Sequence, residues 1–235
     1  MTGSHLPTSA LPPIVPAEDW AAAYEAMLVK EKELTRARDE LAAQRRRMPM
    51  TPVETGYRFL GPDGEVGLLD LFAGRRQLLV YRFFYDPGVE GWPEAGCGGC
   101  SMFADSVTHP AHLNARDTTL VFVSAASQEQ VHAYRRRMGW SVPWYTLRSD
   151  DSANDFSRDF DVADMFGINA FLRDGDQVYR TYFVNGRGVE TVAHAMTFLD
   201  LTPLGRQEHW ENSPAGRPQG EPYQWWRRHD EYGRP

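Results

Sequence analysis

QLLVYRFFYDPGVEGWPEAGCGGCSMFADSV, residues 77–107, is the segment of this sequence that points most directly to an architecture. Residues 77–85 are an apolar run of the length of a buried strand. Residues 86–96 are rich in glycine and proline and therefore indicate a loop. The dithiol, Cys97-Gly98-Gly99-Cys100, follows the loop and leads into a stretch that favours a helix. The segment thus places two thiols where a buried strand passes into a helix.

Strand and helix patterns alternate after this segment. Residues 118–123 (TTLVFV) predict a second buried strand, and residues 127–138 an amphipathic helix with Ser127 as its N-cap and Gln130 three residues on. A short strand over 142–146, a hairpin turning at Asp174-Gly175 and a helix over 189–199 complete the order. The predicted fold class is α/β, a mixed sheet flanked by helices on both faces. A dithiol between strand and helix in such an order is the thioredoxin-like arrangement.

Composition sets limits on the partners. The chain has 235 residues, 42% of them hydrophobic, and a formal net charge of −7. An acidic surface repels phosphate backbones, so nucleic acid is not an expected partner. No apolar run is long enough to span a membrane, and no membrane partner is expected. The first residues carry neither the basic nor the apolar region of a signal peptide, which makes a cytoplasmic location the expectation.

Four segments are predicted along the chain. Residues 1–16 are a flexible N-terminus, 17–48 hold one long N-terminal helix, 49–202 form the thioredoxin-like domain, and 203–235 are an irregular, aromatic C-terminal tail. The helix carries a large apolar side chain every seven residues, at Trp20, Met27, Leu34 and Leu41. Such a helix can lie along its own domain, or it can form a coiled-coil seam in a homodimer.

Several phrases together resemble a family of uncharacterised bacterial thioredoxin-like proteins described as predicted dithiol–disulfide isomerases. The resemblance extends from about Pro13 to Arg206. It is carried by residues 30–35 (KEKELT), 96–101 (GCGGCS), 112–117 (HLNARD), 137–144 (RMGWSVPW) and 198–203 (FLDLTP). The resemblance implies a thioredoxin-like fold. Because the family's description is itself drawn from the fold, it supports the fold more than a reaction.

The sequence departs from the expected pattern at two positions. Family members often carry histidine in the buried strand where this chain has Arg82. Thioredoxins place a cis-proline just before the strand that faces the dithiol, whereas residues 167–171 here read GINAF. Because that proline seats substrate and keeps metals away, its loss weakens the general-oxidoreductase interpretation and strengthens a metal-binding one.

The leading hypothesis is a thiol–disulfide oxidoreductase that needs no cofactor. Cys97, at the helix start, would attack a disulfide of a protein or of a small molecule, and Cys100 would resolve the mixed disulfide. The helix N-terminus favours a thiolate. The two glycines between the cysteines bring no positive charge, so only moderate activation of Cys97 is expected.

The main alternative is a metal-binding protein or metalloenzyme. Soft thiolates suit copper or another thiophilic metal, and a histidine from a later segment, His194 or His112 and less readily His132, could complete the ligand set with Cys97 and Cys100. A zinc knuckle that includes His109 is disfavoured, because a helix after Cys97 would carry that residue too far away. A third hypothesis is a non-catalytic thioredoxin-fold protein that acts through its helix and aromatic tail.

Overall fold

The computed structural model describes residues 11–89, 94–107, 109–148, 155–160, 162 and 166–233. Residues 1–10 of the predicted flexible N-terminus lie outside the described part of the chain. Within it, no helix combines the length and the apolar character that crossing a bilayer requires.

Eight strands of the described chain form one mixed sheet in the order β1-β8-β7-β4-β5-β6-β2-β3. The central strands β4, β5 and β6 are parallel, and the other pairings are antiparallel. The strands are β1 (Thr51–Val53), β2 (Arg58–Gly61), β3 (Gly64–Gly67), β4 (Gln77–Arg82), β5 (Thr118–Ser124), β6 (Trp144–Leu147), β7 (Gly167–Asp174) and β8 (Gln177–Asn185).

Seven α-helices of the described chain accompany the sheet, and a 3-10 helix follows β8 at Gly186–Val192. They are α1 (Ala17–Arg47), α2 (Leu68–Leu71), α3 (Gly98–Asp105), α4 (Pro110–Asn114), α5 (Gln128–Met138), α6 (Phe156–Asp159) and α7 (His194–Asp200). The predicted capping box at the start of α5 is confirmed: Ser127 Oγ accepts from Gln130 N, and Gln130 Oε1 accepts from Ser127 N.

Strand β4 divides the core in two, because successive side chains point to opposite faces of a sheet. Leu78 and Val80 belong to one cluster, with Phe59, Phe156 and Phe171 among its members. Tyr81 and the following Phe83 belong to the other, which also contains Cys100. The second cluster is strongly aromatic and forms the floor beneath the dithiol. Its buried rings are Tyr81, Phe83, Tyr85, Phe103, Phe122, Tyr134 and Trp144.

The chain divides into two compact units. Residues 11–49 and 200–222 form one, and the described residues of 50–199 and 223–233 form the other. In the first unit, α1 is fully described and contains no buried residue. The second segment of this unit, residues 200–222, is irregular. A bidentate ion pair between Arg206 and Asp200 stabilises it, with Nε–Oδ1 and Nη2–Oδ2 distances of 2.8 and 2.7 Å. The second unit holds the sheet and the dithiol.

The predicted thioredoxin-like α/β fold is confirmed, with its long N-terminal helix and irregular tail. Individual helices and strands differ from the prediction in two respects. The predicted last helix is instead two pieces, the 3-10 helix and α7, separated at Ala193, whose backbone is not helical. The short elements β1, β3 and α4 were not predicted, because segments of three to five residues carry too little periodicity to be recognised.

Candidate functional site

The dithiol lies at the junction that the sequence predicts. Cys97 is the N-cap of α3, and Cys100 lies inside its first turn. The Cys97 N–H donates to Phe84 O at 2.9 Å, which fixes the start of α3 to the end of the β4 segment. The Phe84 N–H in turn approaches Cys100 Sγ at 3.4 Å. Cys97 is partly accessible and Cys100 is buried, as an attacking and a resolving thiol require.

The two thiols have opposite electrostatic environments. The pKa of Cys97 is lowered from 9.0 to about 6, chiefly because the Cys100 thiol donates a hydrogen bond to it. Burial opposes this shift, whereas the N–H groups of Cys100 and Gly99 and the charge of Arg228 support it. Burial raises the pKa of Cys100 well above its usual range, and its interaction with Cys97 adds to the rise. The Cys100 thiol, the N–H groups of the first turn of α3 and Arg228 thus supply the stabilisation that the two glycine side chains cannot.

The lowered pKa of Cys97 affects the thiol–disulfide equilibrium more than the rate at which Cys97 attacks a disulfide. At pH 7 a thiol with a pKa near 6 is about 90% thiolate, against about 1% at a pKa of 9. A less basic thiolate is also a weaker nucleophile, so with a Brønsted coefficient of about 0.45 the net acceleration is only roughly fourfold. The same shift makes Cys97 a better leaving group when a thiolate attacks the substrate sulfur of the mixed disulfide, and it stabilises the reduced pair.

Alkylation of Cys97 should follow a titration curve with its midpoint near pH 6. The rate should be level above about pH 7, because the thiolate is then fully formed. A depressed thiol pKa also stabilises the folded reduced protein at high pH, and this contribution falls as the pH drops from about 9 through about 6. Iodoacetamide labelling read by mass spectrometry measures the midpoint. In Cys100→Ala it should move upward, whereas a midpoint near 9 in the native chain would contradict the assignment.

A chain of hydrogen bonds connects the backbone of Cys97 to a distant arginine. Ser101 Oγ donates to Cys97 O at 2.7 Å, so the Tyr134 hydroxyl must donate to Ser101 Oγ, also at 2.7 Å. Tyr134 in turn accepts from Arg228 Nε at 3.2 Å, and Arg228 Nη2 donates to Gly96 O at 2.6 Å. Arg228 is thus held on the residue before Cys97, with its side chain 16% exposed. It supplies the positive charge that the Cys-Gly-Gly-Cys motif lacks.

Arg228 belongs to residues 223–233, here called the C-terminal strap. Polar contacts fix the strap to α5 and to the end of α3. Arg137 binds Asp230 through two hydrogen bonds of 2.7 and 2.9 Å and also reaches Glu231 at 3.2 Å. His229 Nδ1 lies 2.8 Å from Asp105 Oδ1. The strap therefore passes across the helix that begins at the dithiol.

Trp226 of the strap explains the second of the two glycines between the cysteines. A Cβ on Gly99 would lie 2.4 and 2.5 Å from Trp226 Cζ3 and Cε3, much closer than van der Waals contact. A Cβ on Gly98 would meet Trp226 O at an ordinary 3.5 Å. The chain's own tryptophan thus lies against the backbone of α3 at this position. Gly99 is the residue whose missing side chain lets the ring lie on α3.

Gly99→Ala should displace the C-terminal strap, whereas Gly98→Ala should leave it in place. The added methyl group at 99 overlaps the Trp226 ring, and the one at 98 fits. Both substitutions favour the helix to a similar degree, so the pair isolates the clash. Trypsin cleavage after Arg227 or Arg228 should be about tenfold faster in Gly99→Ala, since proteolysis follows the population of the open segment. Equal cleavage rates in the two variants would contradict the contact between Trp226 and Gly99.

Arg82 and the start of β7 show how the two departures in sequence are accommodated. Arg82 is buried, donates from Nη1 to Phe83 O, and leaves Nε without a partner. Its charge acts on Cys100, and burial lowers its own pKa. No proline precedes β7; Phe166 stands there and shares with both cysteines the lining of a cavity. An aromatic ring thus lies beside the dithiol where a proline was expected.

The histidines are not gathered at the dithiol. In the part of the chain that the structure describes, no group of three or more His, Cys, Asp or Glu residues could hold a metal ion. His112 lies in α4, and the His194 N–H donates to Ser106 Oγ at 3.1 Å near the far end of α3. His109 caps α4 by accepting from the Ala111 N–H. Among the described residues, none of His112, His132 and His194 therefore forms a ligand set with Cys97 and Cys100.

Sequence reasoning missed the residues that support the dithiol from a distance. Arg228, Trp226 and Tyr134 carry no motif, and the separation of Arg228 from Gly96 is 132 residues. The available signals were indirect: a pair of adjacent glycines in the first turn of a helix, and an unexplained aromatic and basic tail. Either could have suggested that the tail covers the helix.

Comparison with known proteins gives one family match and several structural likenesses. The family described as "Bacterial protein of unknown function (DUF899)" matches residues 9–232. No curated protein matches the sequence. A thiol:disulfide interchange protein from Bacteroides sp. is 15% identical, with 64% of this chain and 90% of that chain covered and a TM-score of 0.44. A thioredoxin from Wuchereria bancrofti is 17% identical, with 61% and 90% covered and a TM-score of 0.37.

Proposed function

The chain belongs to the DUF899 family of bacterial proteins, and for this member we propose the activity of a thiol–disulfide oxidoreductase. The observation that carries the proposal is the pairing of an accessible thiol of low pKa with a buried thiol that donates a hydrogen bond to it. A stable thiolate beside a protonated reserve thiol is the chemical requirement for two-step disulfide exchange.

Each thiol has one role in the proposed reaction. The Cys97 thiolate attacks a sulfur of the substrate disulfide, and the other substrate sulfur leaves as a thiolate. Cys100 then attacks Cys97 Sγ, releases the second substrate sulfur and completes the Cys97–Cys100 disulfide. Its proton passes to the departing thiolate. The substrate is a disulfide of a protein or of a small molecule, and the compartment proposed from the sequence is the cytoplasm.

The test is a redox titration of the purified chain. Equilibration in buffers of graded dithiothreitol composition should convert the two thiols reversibly into one intramolecular disulfide, with a two-electron dependence on potential. Intact-mass measurement and thiol counting follow the conversion. The metal content of the protein purified without added metal is measured in parallel. Thiols that never pair, or stoichiometric copper, iron or zinc on the dithiol, would overturn the proposal.

A homodimer through α1 remains a separate proposal. Its support is the seven-residue seam together with the exposure of that seam, where Trp20, Met27, Leu34 and Leu41 are 61, 52, 51 and 46% exposed. Sedimentation velocity tests it. Native chain should sediment as a dimer and Leu34→Lys as a monomer, with Glu33→Lys, off the seam, unchanged. A monomeric native chain would reject the proposal.

A further inference from the structure

A cavity of about 330 Å³ lies directly against the dithiol, with both Cys97 and Cys100 in its wall. Its other walls come from α3, from the 3-10 helix and α7, and from the C-terminal strap. They are built mainly of apolar and aromatic side chains, among them Met102, Phe166, Val189, Met196, Tyr223 and Trp226. The volume is at the lower end of the range of about 300–1,000 Å³ that is typical of small-molecule sites.

Charge in the cavity wall is balanced. Among the described lining residues the charged ones are the Cys97 thiolate, which the charge of Arg228 helps to stabilise, and Arg187 and Glu190, which pair with each other at 3.4 Å between Nε and Oε1. Glu190 keeps only 12% of its side chain exposed. A charged ligand group placed among the apolar walls would lose its hydration, and each charge in the wall already has a stabilising partner. The wall therefore suits substrate chains that are uncharged and aliphatic.

The C-terminal strap limits the size of the substrate. Tyr223 and Trp226 line the cavity, and Trp226 lies directly on Gly99 in the first turn of α3. The strap is anchored next to the dithiol by the bonds of Arg228 to Gly96 O and to Tyr134. Because these contacts lie on Gly96 and Gly99, on either side of Cys97 in the chain, a disulfide on the surface of a folded protein would have to pass the strap as it approaches Cys97. A small molecule that enters the cavity would not.

We propose that the natural exchange partner of the dithiol is a small, uncharged aliphatic disulfide bound in this cavity. The inference rests on the proposed oxidoreductase function and names its substrate class. Cys97 forms a mixed disulfide with one half of the substrate and the other half leaves as a thiol. Attack by Cys100 then frees the second half. Two electrons pass from the dithiol to the substrate, which ends as two thiols, and the protein ends as the Cys97–Cys100 disulfide.

Single-turnover kinetics with three disulfides of similar chain length test the substrate class. Dipropyl disulfide is uncharged, 3,3′-dithiodipropionate is anionic and cystamine is cationic. Each rate is divided by the rate of a free small thiolate with the same reagent, which removes differences in intrinsic reactivity. Dipropyl disulfide should exceed both charged reagents by about tenfold, because only it enters the apolar cavity without losing the hydration of a charge. If the net charge of −7 alone decided the rates, cystamine would be fastest, and that result would overturn the inference.

A matched pair of variants locates the reaction in the cavity. Ala193 lines it, and Ala195 lines a neighbouring cavity beside α3 and α7. Ala193→Leu should slow exchange with dipropyl disulfide by about tenfold while alkylation of Cys97 by iodoacetamide stays within about twofold, and Ala195→Leu should change neither. Should Ala193→Leu fail to fold, Met196→Ala enlarges the same cavity and should raise the relative rate of longer dialkyl disulfides. Unchanged selectivity in these cavity variants would overturn the inference.

The two proposals fail in different ways. If the dithiol pairs with none of these reagents, nor in the dithiothreitol titration, the oxidoreductase function itself is wrong. If it pairs readily but reduces the disulfides of insulin as fast as it reduces dipropyl disulfide, only the substrate class is wrong.

Discussion

Replacing Cys97 with serine is expected to slow disulfide exchange by about a thousandfold or more, since a serine hydroxyl does not form an anion at neutral pH. The native rate depends on a Cys97 thiolate that Cys100, the first turn of α3 and Arg228 stabilise together. Neither the Ser101 hydroxyl nor the Cys100 thiol can replace Cys97 as the attacking group. Cys100 is buried, and burial raises its pKa well above its usual range. Stopped-flow measurement with dipropyl disulfide gives the rate.

Cys100→Ser provides the contrast to this variant. It keeps the attacking thiol and removes the resolving one, so the reaction should stop at a mixed disulfide on Cys97. Intact-mass analysis should show one substrate half bound per chain, and peptide mapping should place it on Cys97. An adduct on Cys100 in Cys97→Ser, formed at a rate near that of the native chain, would reverse the assignment of the two roles.

Phe83→Ala is expected to destabilise the folded sheet unit by about 3–5 kcal/mol, the usual range for a fully buried phenylalanine. Phe83 is 0% exposed and lies at the centre of the aromatic floor beneath the dithiol. Its ring contacts Trp144 and Phe122 at centroid distances of 4.5 and 6.1 Å, and Tyr134 edge-on at 6.2 Å. Truncation leaves a cavity that these large rings cannot refill, which is why the cost exceeds the transfer free energy alone.

Phe198→Ala is the matched control, because Phe198 also carries a phenyl ring but lies in α7 with 69% of its surface exposed. Its effect on the free energy of unfolding should stay within about 0.5 kcal/mol. Urea unfolding followed by circular dichroism measures both variants. Labelling of the buried Cys100 under native conditions gives a second readout, and it should be faster only in Phe83→Ala. Equal destabilisation by the two substitutions would show that the aromatic floor is not what supports the dithiol.

The metal hypothesis and the oxidoreductase hypothesis started from the same two cysteines, and the packing bears on which histidines lie near them. Spacing alone allowed His112 or His194 to complete a ligand set. The folded chain places His112 in α4 and the backbone of His194 against Ser106, while Tyr81, Phe103 and Phe166 occupy the surroundings of the dithiol with Trp226. Aromatic rings exclude water from the dithiol, and the metal content of the purified protein decides between the two hypotheses.

The order of elements was predictable because it depends on local signals. An apolar run, a glycine-rich loop and a dithiol next to a helix are each written within a few residues, and so is the Ser127 capping box. The same locality explains the errors. The segment 189–199 was predicted as one helix, yet Ala193 separates a 3-10 helix from α7, and nothing in the local periodicity marks that break.

The sequence by itself determined the fold class, the position of Cys97 and Cys100 at a strand-to-helix junction, and their order as accessible and buried thiols. Only the tertiary structure decided how acidic Cys97 is and what can reach it. The acidity depends first on the hydrogen bond from Cys100, with a smaller contribution from the charge of Arg228, which bonds to the residue before Cys97 across 132 positions of the chain; access depends on Trp226. Electrostatic stabilisation and steric access act through space over a few ångströms, and no local pattern records which distant residue the fold brings there.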